Sequence, residues 1–424
     1  MAKKGGKKKG GKKATPEQEI TTTRYILAER ARCMCPRLGD AYARSESVGE
    51  VRADVVFYCL RKVVAHNLDT LDVSGGELGL LPEEIRERPE MHALTDVNLS
   101  RNKLFNSDHV FSILSYIKGL RKLDLTGNFL NGTLSTLAGR LRELEELRLD
   151  ANQLVELPPA VDAWTELRVF SAAENAISAL PSQVEDWRNL EDFNVRNNEL
   201  RELPLQMGKW SRIRRILAGG NRVTELPKEV GECKELLTLD LRGNSLTSLP
   251  IELAQCTKLE FLHLGGNRVA EIGEELCAAL VNIRELYLYR NKLDVLPPQL
   301  GCLSQLKKLS LSGNNIKALP PEIGACVHLS ELYLNNNQKL SSMPSSMSKL
   351  KMLRELSARR CKALKSLPPE LAGCGNLREL DVRADKKQTC KMTPEFASTL
   401  KVQTCVIRGG VVKKGKKGGA KKAA

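Results

Sequence analysis

Phe261, His263, Tyr287, Tyr289 and Tyr333, together with Arg242, Arg290, Arg359, Arg360 and Arg383, are the residues whose types and spacing suit chemistry, and that chemistry is recognition. Tyr287 follows His263 by 24 residues and Tyr333 follows Tyr287 by 46, so a period near 23 would bring them to one surface. Rigid rings and arginine forks carry much of the energy of protein interfaces. A solvated face with incidental tyrosines is the alternative. In a chain with only 4% aromatic residues, three tyrosines in related register favour a contact surface.

Catalytic and metal-binding patterns do not assemble. His66, His92, His109, His263 and His328 show no metal spacing, and Cys33-Met34-Cys35 lacks a second pair at the interval a zinc site needs. Gly6 to Lys13 approximates a phosphate-binding loop. Lys13 stands, however, where a Ser or Thr would bind magnesium, and no strand precedes the segment. The sequence therefore predicts a non-enzymatic protein with no cofactor, no metal and no small-molecule substrate.

The elements that must position the recognition residues are set by asparagine. Asn102, Asn128, Asn152, Asn175, Asn198, Asn221, Asn244, Asn267, Asn291, Asn314 and Asn337 recur at intervals of 23 to 26 residues. Each sits in a frame of the form L-x-x-L-x-L-x-x-N-x-L, as in Leu239-Asp240-Leu241-Arg242-Gly243-Asn244-Ser245-Leu246. The alternating L-x-L predicts a short strand with leucines inward and the x residues on a concave solvent face. A carboxamide can both donate and accept, so a stacked asparagine column can satisfy buried turn groups. A second column, Trp164, Trp187, Trp210, Cys233, Cys256, Leu280, Leu303, Cys326, Leu350 and Cys374, has the same period and reads as core filling. This frame and period are the leucine-rich repeat signature, which predicts an α/β solenoid with parallel strands on its concave face.

The back half of the repeat reads L-P-x-x-[I/L/V], at Leu157-Pro158, Leu180-Pro181, Leu203-Pro204, Leu226-Pro227, Leu249-Pro250, Leu296-Pro297, Leu319-Pro320 and Leu367-Pro368. It resembles the 23-residue intracellular repeat class of Scribble, Erbin and the Ras-pathway repeat scaffolds. The resemblance implies a curved solenoid that binds other proteins. Gly76, Cys361 and Asp385 stand where asparagine is expected, Met343-Pro344 replaces Leu-Pro, and Ile272-Gly273 loses the proline. An extra residue follows the asparagine position in the last two full repeats.

The net charge of +15 belongs mainly to the ends. Residues 1–13 carry Lys3, Lys4, Lys7, Lys8, Lys9, Lys12 and Lys13, and residues 409–424 carry Lys413, Lys414, Lys416, Lys417, Lys421 and Lys422, with no acid in either. The 53 basic and 51 acidic side chains between them leave a nearly neutral body. The sequence predicts five segments: a Lys/Gly tail at 1–13, a helical N-terminal cap at 14–67, the solenoid at 68–390, a C-terminal cap at 391–408 and a second tail at 409–424. Their Lys/Gly runs lack apolar residues to bury, and the tails are expected to be disordered alone and to suit a polyanion. A start of lysine and glycine, with twelve cysteines partly in the core column, favours a reducing, cytoplasmic setting. No membrane-spanning run is present in the sequence.

These features predict a protein-binding scaffold within a large assembly. Lys/Gly tails of this kind resemble those of ciliary and flagellar axoneme proteins, which would make tubulin or microtubules the acidic partner. Two other readings stay open: a signalling scaffold of the Ras-pathway or phosphatase-regulator type, and a ribosome- or RNA-associated factor.

Overall fold

The computed structural model describes residues 56, 58, 59, 68–383, 390–402 and 405–412. The lysines of both tails, nearly all of the 14–67 cap segment, the Cys33-Met34-Cys35 pair and Asp385 lie outside the described residues, whereas residues 409–412 of the second tail segment are described and Val411–Val412 pairs with Lys391–Met392. Of the cap segment, Val56, Tyr58 and Cys59 are helical, and Val56 is buried.

Fifteen three-residue strands form one parallel sheet in chain order, from Thr70–Asp72 through Glu379–Asp381 to Val406–Arg408. Neighbouring strands pair with their central apolar residues aligned, as Leu239 with Leu262 and Leu286 with Leu309. Those central residues are buried, except Ile407 in the last strand of the sheet, which is partly buried and packs against the core, so one face of every strand contributes to a single continuous core. No repeat could bury this face alone, and stacking satisfies each with its neighbour.

Opposite the sheet, most repeats carry a five-residue 3-10 helix such as Lys228–Glu232 or Ile251–Gln255. Proline sets its start. Pro227 and Pro250 hold the extended conformation that precedes the turn. The third helical residue, Val230 or Leu253, then drops into the core. Where Ile272-Gly273 lacks the proline and the period stretches to 24, the turn becomes the α-helix Glu274–Ala279. An apolar void of about 20 Å³ opens beside it, lined by Ile272, Leu276, Cys277, Leu280 and Leu286 among others. Towards the C terminus the helix Pro394–Val402 precedes the last strand of the main sheet, which begins at Val406.

The asparagine column behaves as its chemistry requires. The Asn244 carboxamide donates to the carbonyls of Ala218 and Leu241, both at 3.0 Å, and accepts the Val223 N–H at 3.0 Å. All eleven asparagines accept a backbone N–H from the preceding repeat in the same way. At Cys361 only the donor survives: its thiol reaches the Leu334 carbonyl at 3.2 Å. The Leu340 N–H turns instead to the Asn337 carbonyl, a bond that the extra residue after Asn337 makes possible. Replacing Asn244 with Ala leaves the buried Val223 N–H without its acceptor and removes one of two carboxamide donors from the Ala218 and Leu241 carbonyls, which keep Asn221 and Asn267. It is expected to cost about 1–3 kcal/mol, the range for leaving a buried donor unsatisfied. Urea unfolding followed by far-ultraviolet dichroism measures this; a loss below about 0.5 kcal/mol would mean that water replaces the carboxamide.

The second column also carries a bond that its spacing did not disclose. The indole N–H of Trp164, Trp187 and Trp210 donates to the carbonyl of Ala138, Val161 and Val184, each in the preceding repeat's 3-10 helix. Cys233, Cys256, Cys326 and Cys374 make the same bond through sulfur. Tryptophan and cysteine share a column because each joins an apolar body to one donor. Burial pushes the Cys233 and Cys326 thiols up to about 12, which makes them inert core groups.

Candidate functional site

Each strand presents three outward positions: the residues flanking its central leucine, and one just beyond the strand. The outermost row reads Arg196, Gly219, Arg242, Gly265 and Tyr289 on successive repeats. Its organising group is a carboxylate in the adjoining row. Asp240 is fully buried. The guanidinium of Arg242 forks onto it at 2.9 and 2.8 Å. Arg196 reaches it at 2.5 Å from two strands away. The residue between them is Gly219, where a Cβ would sit 3.3 Å from the Asp240 Oδ1 and 3.1 Å from the Arg242 carbonyl. The second glycine works similarly. A Cβ on Gly265 would lie 2.3 Å from the Tyr289 ring, so the bare backbone lets that ring lie back over it towards Arg242.

Burial alone would push the Asp240 carboxyl up, but the hydrogen bonds from Arg242 and Arg196 hold it below the ordinary carboxylate value. Asp150 is the contrast. It has Ser171 Oγ and the Ala173 N–H as donors, and there burial wins and raises the carboxyl. Asp240 therefore stays charged, and the two arginines keep fixed conformations with their outer edges in water.

His263 and Tyr287 stand side by side on paired strands, with ring centroids 4.5 Å apart. Burial lowers the His263 imidazole below its usual value, with Asp240 opposing, so it is neutral near pH 7. Its Nε2 lies 3.8 Å from the Glu285 carboxylate, and no partner lies within hydrogen-bond distance. The Tyr287 hydroxyl donates to Glu285 at 2.9 Å. Tyr333 bridges Glu355 at 2.9 Å and Glu331 at 3.1 Å. Burial first, then these carboxylates, raise both phenols above their usual value.

The structure brings Phe261, His263, Tyr287, Tyr289 and Arg242 onto consecutive strands, and it corrects the rest of the sequence reading in three ways. The concave face is only partly a solvent face: Ser171, Asp240, Ser310, Ser357 and Asp381 are buried between larger neighbours. The tyrosines are half-buried, and Tyr287 and Tyr333 offer ring faces rather than free hydroxyls. Nor do the arginines surround the rings. Arg290 and Arg360 occupy left-handed turn positions at φ 53 and 56, beyond the strand rows. Arg359 and Arg383 gather instead on Asp381, at 3.6 and 2.6 Å, towards the C-terminal end.

Arg196, Asp240 and the two glycines were missed. The signal was present in the alternation Arg-Gly-Arg-Gly-Tyr down one column, which becomes visible once residues 23 apart are treated as neighbours. Among the described residues no cluster of His, Cys, Asp or Glu is placed to hold a metal ion, and no helix is long and apolar enough to cross a membrane.

Residues 271–406 match the family model described as a leucine-rich repeat region, and residues 211–269 match the model described as leucine rich repeat. No curated protein matches the chain. Among solved structures, a leucine-rich repeat protein of Leptospira interrogans is 27% identical with a TM-score of 0.60, covering 82% of this chain and 98% of that one. An internalin from Listeria monocytogenes is 17% identical with a TM-score of 0.63, covering 86% and 95%. A plant peptide hormone receptor, RGFR1, solved in complex with RGF2, is 21% identical with a TM-score of 0.51, covering 83% and 72%. The chain thus carries leucine-rich repeats folded as a solenoid, an architecture that generally serves as a protein-interaction module.

Proposed function

We propose that this chain is a non-enzymatic scaffold that binds other proteins through the middle of its concave face. The observation that carries the reading is the half-buried ring set His263, Tyr287 and Tyr289 beside arginines locked on Asp240. Rings and forks already held in place lose little freedom on binding, which is the usual composition of an energetic centre. The plant receptor complex supports the reading only as a precedent for ligand binding by this fold.

Replacing Tyr287 and Tyr289 together by Ala is expected to weaken a bound partner about tenfold or more, as loss of aromatic anchors does elsewhere. Affinity capture from a cell extract, quantified against the wild-type chain, reads this. Proteins retained equally by both forms would place the contact elsewhere.

The lysine tails support a cytoplasmic assembly role, with anchoring on an acidic surface such as the tubulin of a ciliary axoneme. Thirteen lysines without an acid suit such a surface. Microtubule co-sedimentation that persists with excess RNA would support this version. Displacement by RNA would favour the ribosome- or RNA-associated reading.

A further inference from the structure

The concave face repeats one device. Asp240-Leu241-Arg242 and Asp381-Val382-Arg383 share the pattern Asp-x-Arg, and in both the arginine forks back onto the aspartate two residues before it. Both aspartates are buried, at 0% and 5% exposure. Each has a second arginine from an earlier strand: Arg196 donates to Asp240 at 2.5 Å, and Arg359 stands at ion-pair distance, 3.6 Å, from Asp381. Both carboxyls are held below their usual value by arginine hydrogen bonds that overcome burial. Each unit is therefore two fixed guanidiniums around one sunken carboxylate, with one positive charge in excess. The arginine side chains remain 36–47% exposed, so their outer N–H groups face solvent.

From Arg196 onward the outermost row carries no acidic residue: it runs Arg196, Gly219, Arg242, Gly265, Tyr289, Ser312, Asn335, Arg359, Arg383. The carboxylates Glu285, Glu331 and Glu355 lie at the other end of the strands and are engaged by tyrosine hydroxyls. Six strand steps separate Asp240 from Asp381. At about 4.8 Å per step the two units stand about 29 Å apart, the length of about nine extended residues.

Building on the concave-face reading above, we propose that the ligand is an extended acidic peptide segment lying across the strands, with two anionic side chains about nine residues apart, one at each arginine pair, and neutral residues over Tyr289 and Ser312 between them. Charge complementarity selects it. The chain's own tails are cationic. Two excess charges over this length match sparse carboxylates better than a polynucleotide, whose phosphates repeat far more closely.

The test uses the full chain and two fluorescein-labelled fourteen-residue peptides of one composition, with aspartate pairs nine or four residues apart in a Ser/Gln/Tyr background, read by anisotropy at physiological salt. The lysine tails meet equal charge in both peptides, so the difference reports the spacing. The peptide with aspartates nine residues apart is expected to bind about tenfold tighter, and Arg242→Gln or Arg383→Gln to remove most of that advantage. The spacing comparison needs no variant and stands even if one misfolds. Equal affinity for the two peptides overturns the proposal. So does tighter, arginine-dependent binding of a single-stranded oligonucleotide, which would make the occupant a nucleic acid. If spacing has no effect while the Tyr287/Tyr289 double substitution still weakens capture, the two-anchor inference fails and the concave-face reading survives.

Discussion

Trp187→Ala is expected to destabilise the chain by about 4 kcal/mol, the usual cost of emptying a large buried aromatic site. Trp187 is fully buried. It stacks between Trp164 at 6.0 Å and Trp210 at 6.4 Å, and tilts onto Phe170 at 4.8 Å. Its indole N–H also donates to the Val161 carbonyl, so truncation removes one of that oxygen's two donors, the Trp164 N–H remaining, as well as leaving a cavity. Trp187→Phe separates the two effects: it keeps most of the ring, loses the donor, and is expected to cost about 2 kcal/mol. Urea unfolding of the three forms by far-ultraviolet dichroism gives the comparison. Equal losses for Phe and Ala would show that the hydrogen bond, not the packing, holds the column together.

Asp240→Ala is expected to cost about 3 kcal/mol, near the lower end for breaking a buried ion pair, because both arginines can turn partly towards water. Removing Arg242 as well should cost less than the sum of the single changes, since the uncompensated charge goes with it. Acidity offers a second readout. The native carboxyl lies below its unfolded value, so its contribution is complete above the ordinary aspartate range and is lost as pH falls through the lowered native value. The Asp240→Ala chain should show a shallower fall in stability across that acid window. An unchanged slope would assign the acid sensitivity to other carboxylates.

The sequence disclosed most of the fold because the repeat states one physical requirement many times. The asparagine period fixed where each turn needs its donor and acceptor, and the Trp/Cys column fixed which positions close the core. Even the departure at Ile272-Gly273 was readable, since a missing proline marks the place where a tight turn relaxes into Glu274–Ala279. The candidate site was less legible. Its aromatic half follows from the outward positions of the frame. The half around Asp240 depends on absences: Arg196 reaches its partner only because the intervening repeat offers a glycine. Periodicity says which residues are neighbours, but the length and path of a side chain decide which neighbours touch.

The tryptophan stack gives the solenoid a local optical reporter. All three tryptophans of the chain occupy consecutive repeats, Trp164 to Trp210, so selectively excited tryptophan emission describes that stretch alone, whereas backbone dichroism sums over every repeat. The irregular helix Glu274–Ala279 and its void lie outside the emitting stretch. Coincident melting of the two signals would mean that the array comes apart as one body. A gap between them would measure how far one end can loosen while the other stays wound, and so how much elastic independence the molecule has when it is pulled from both ends.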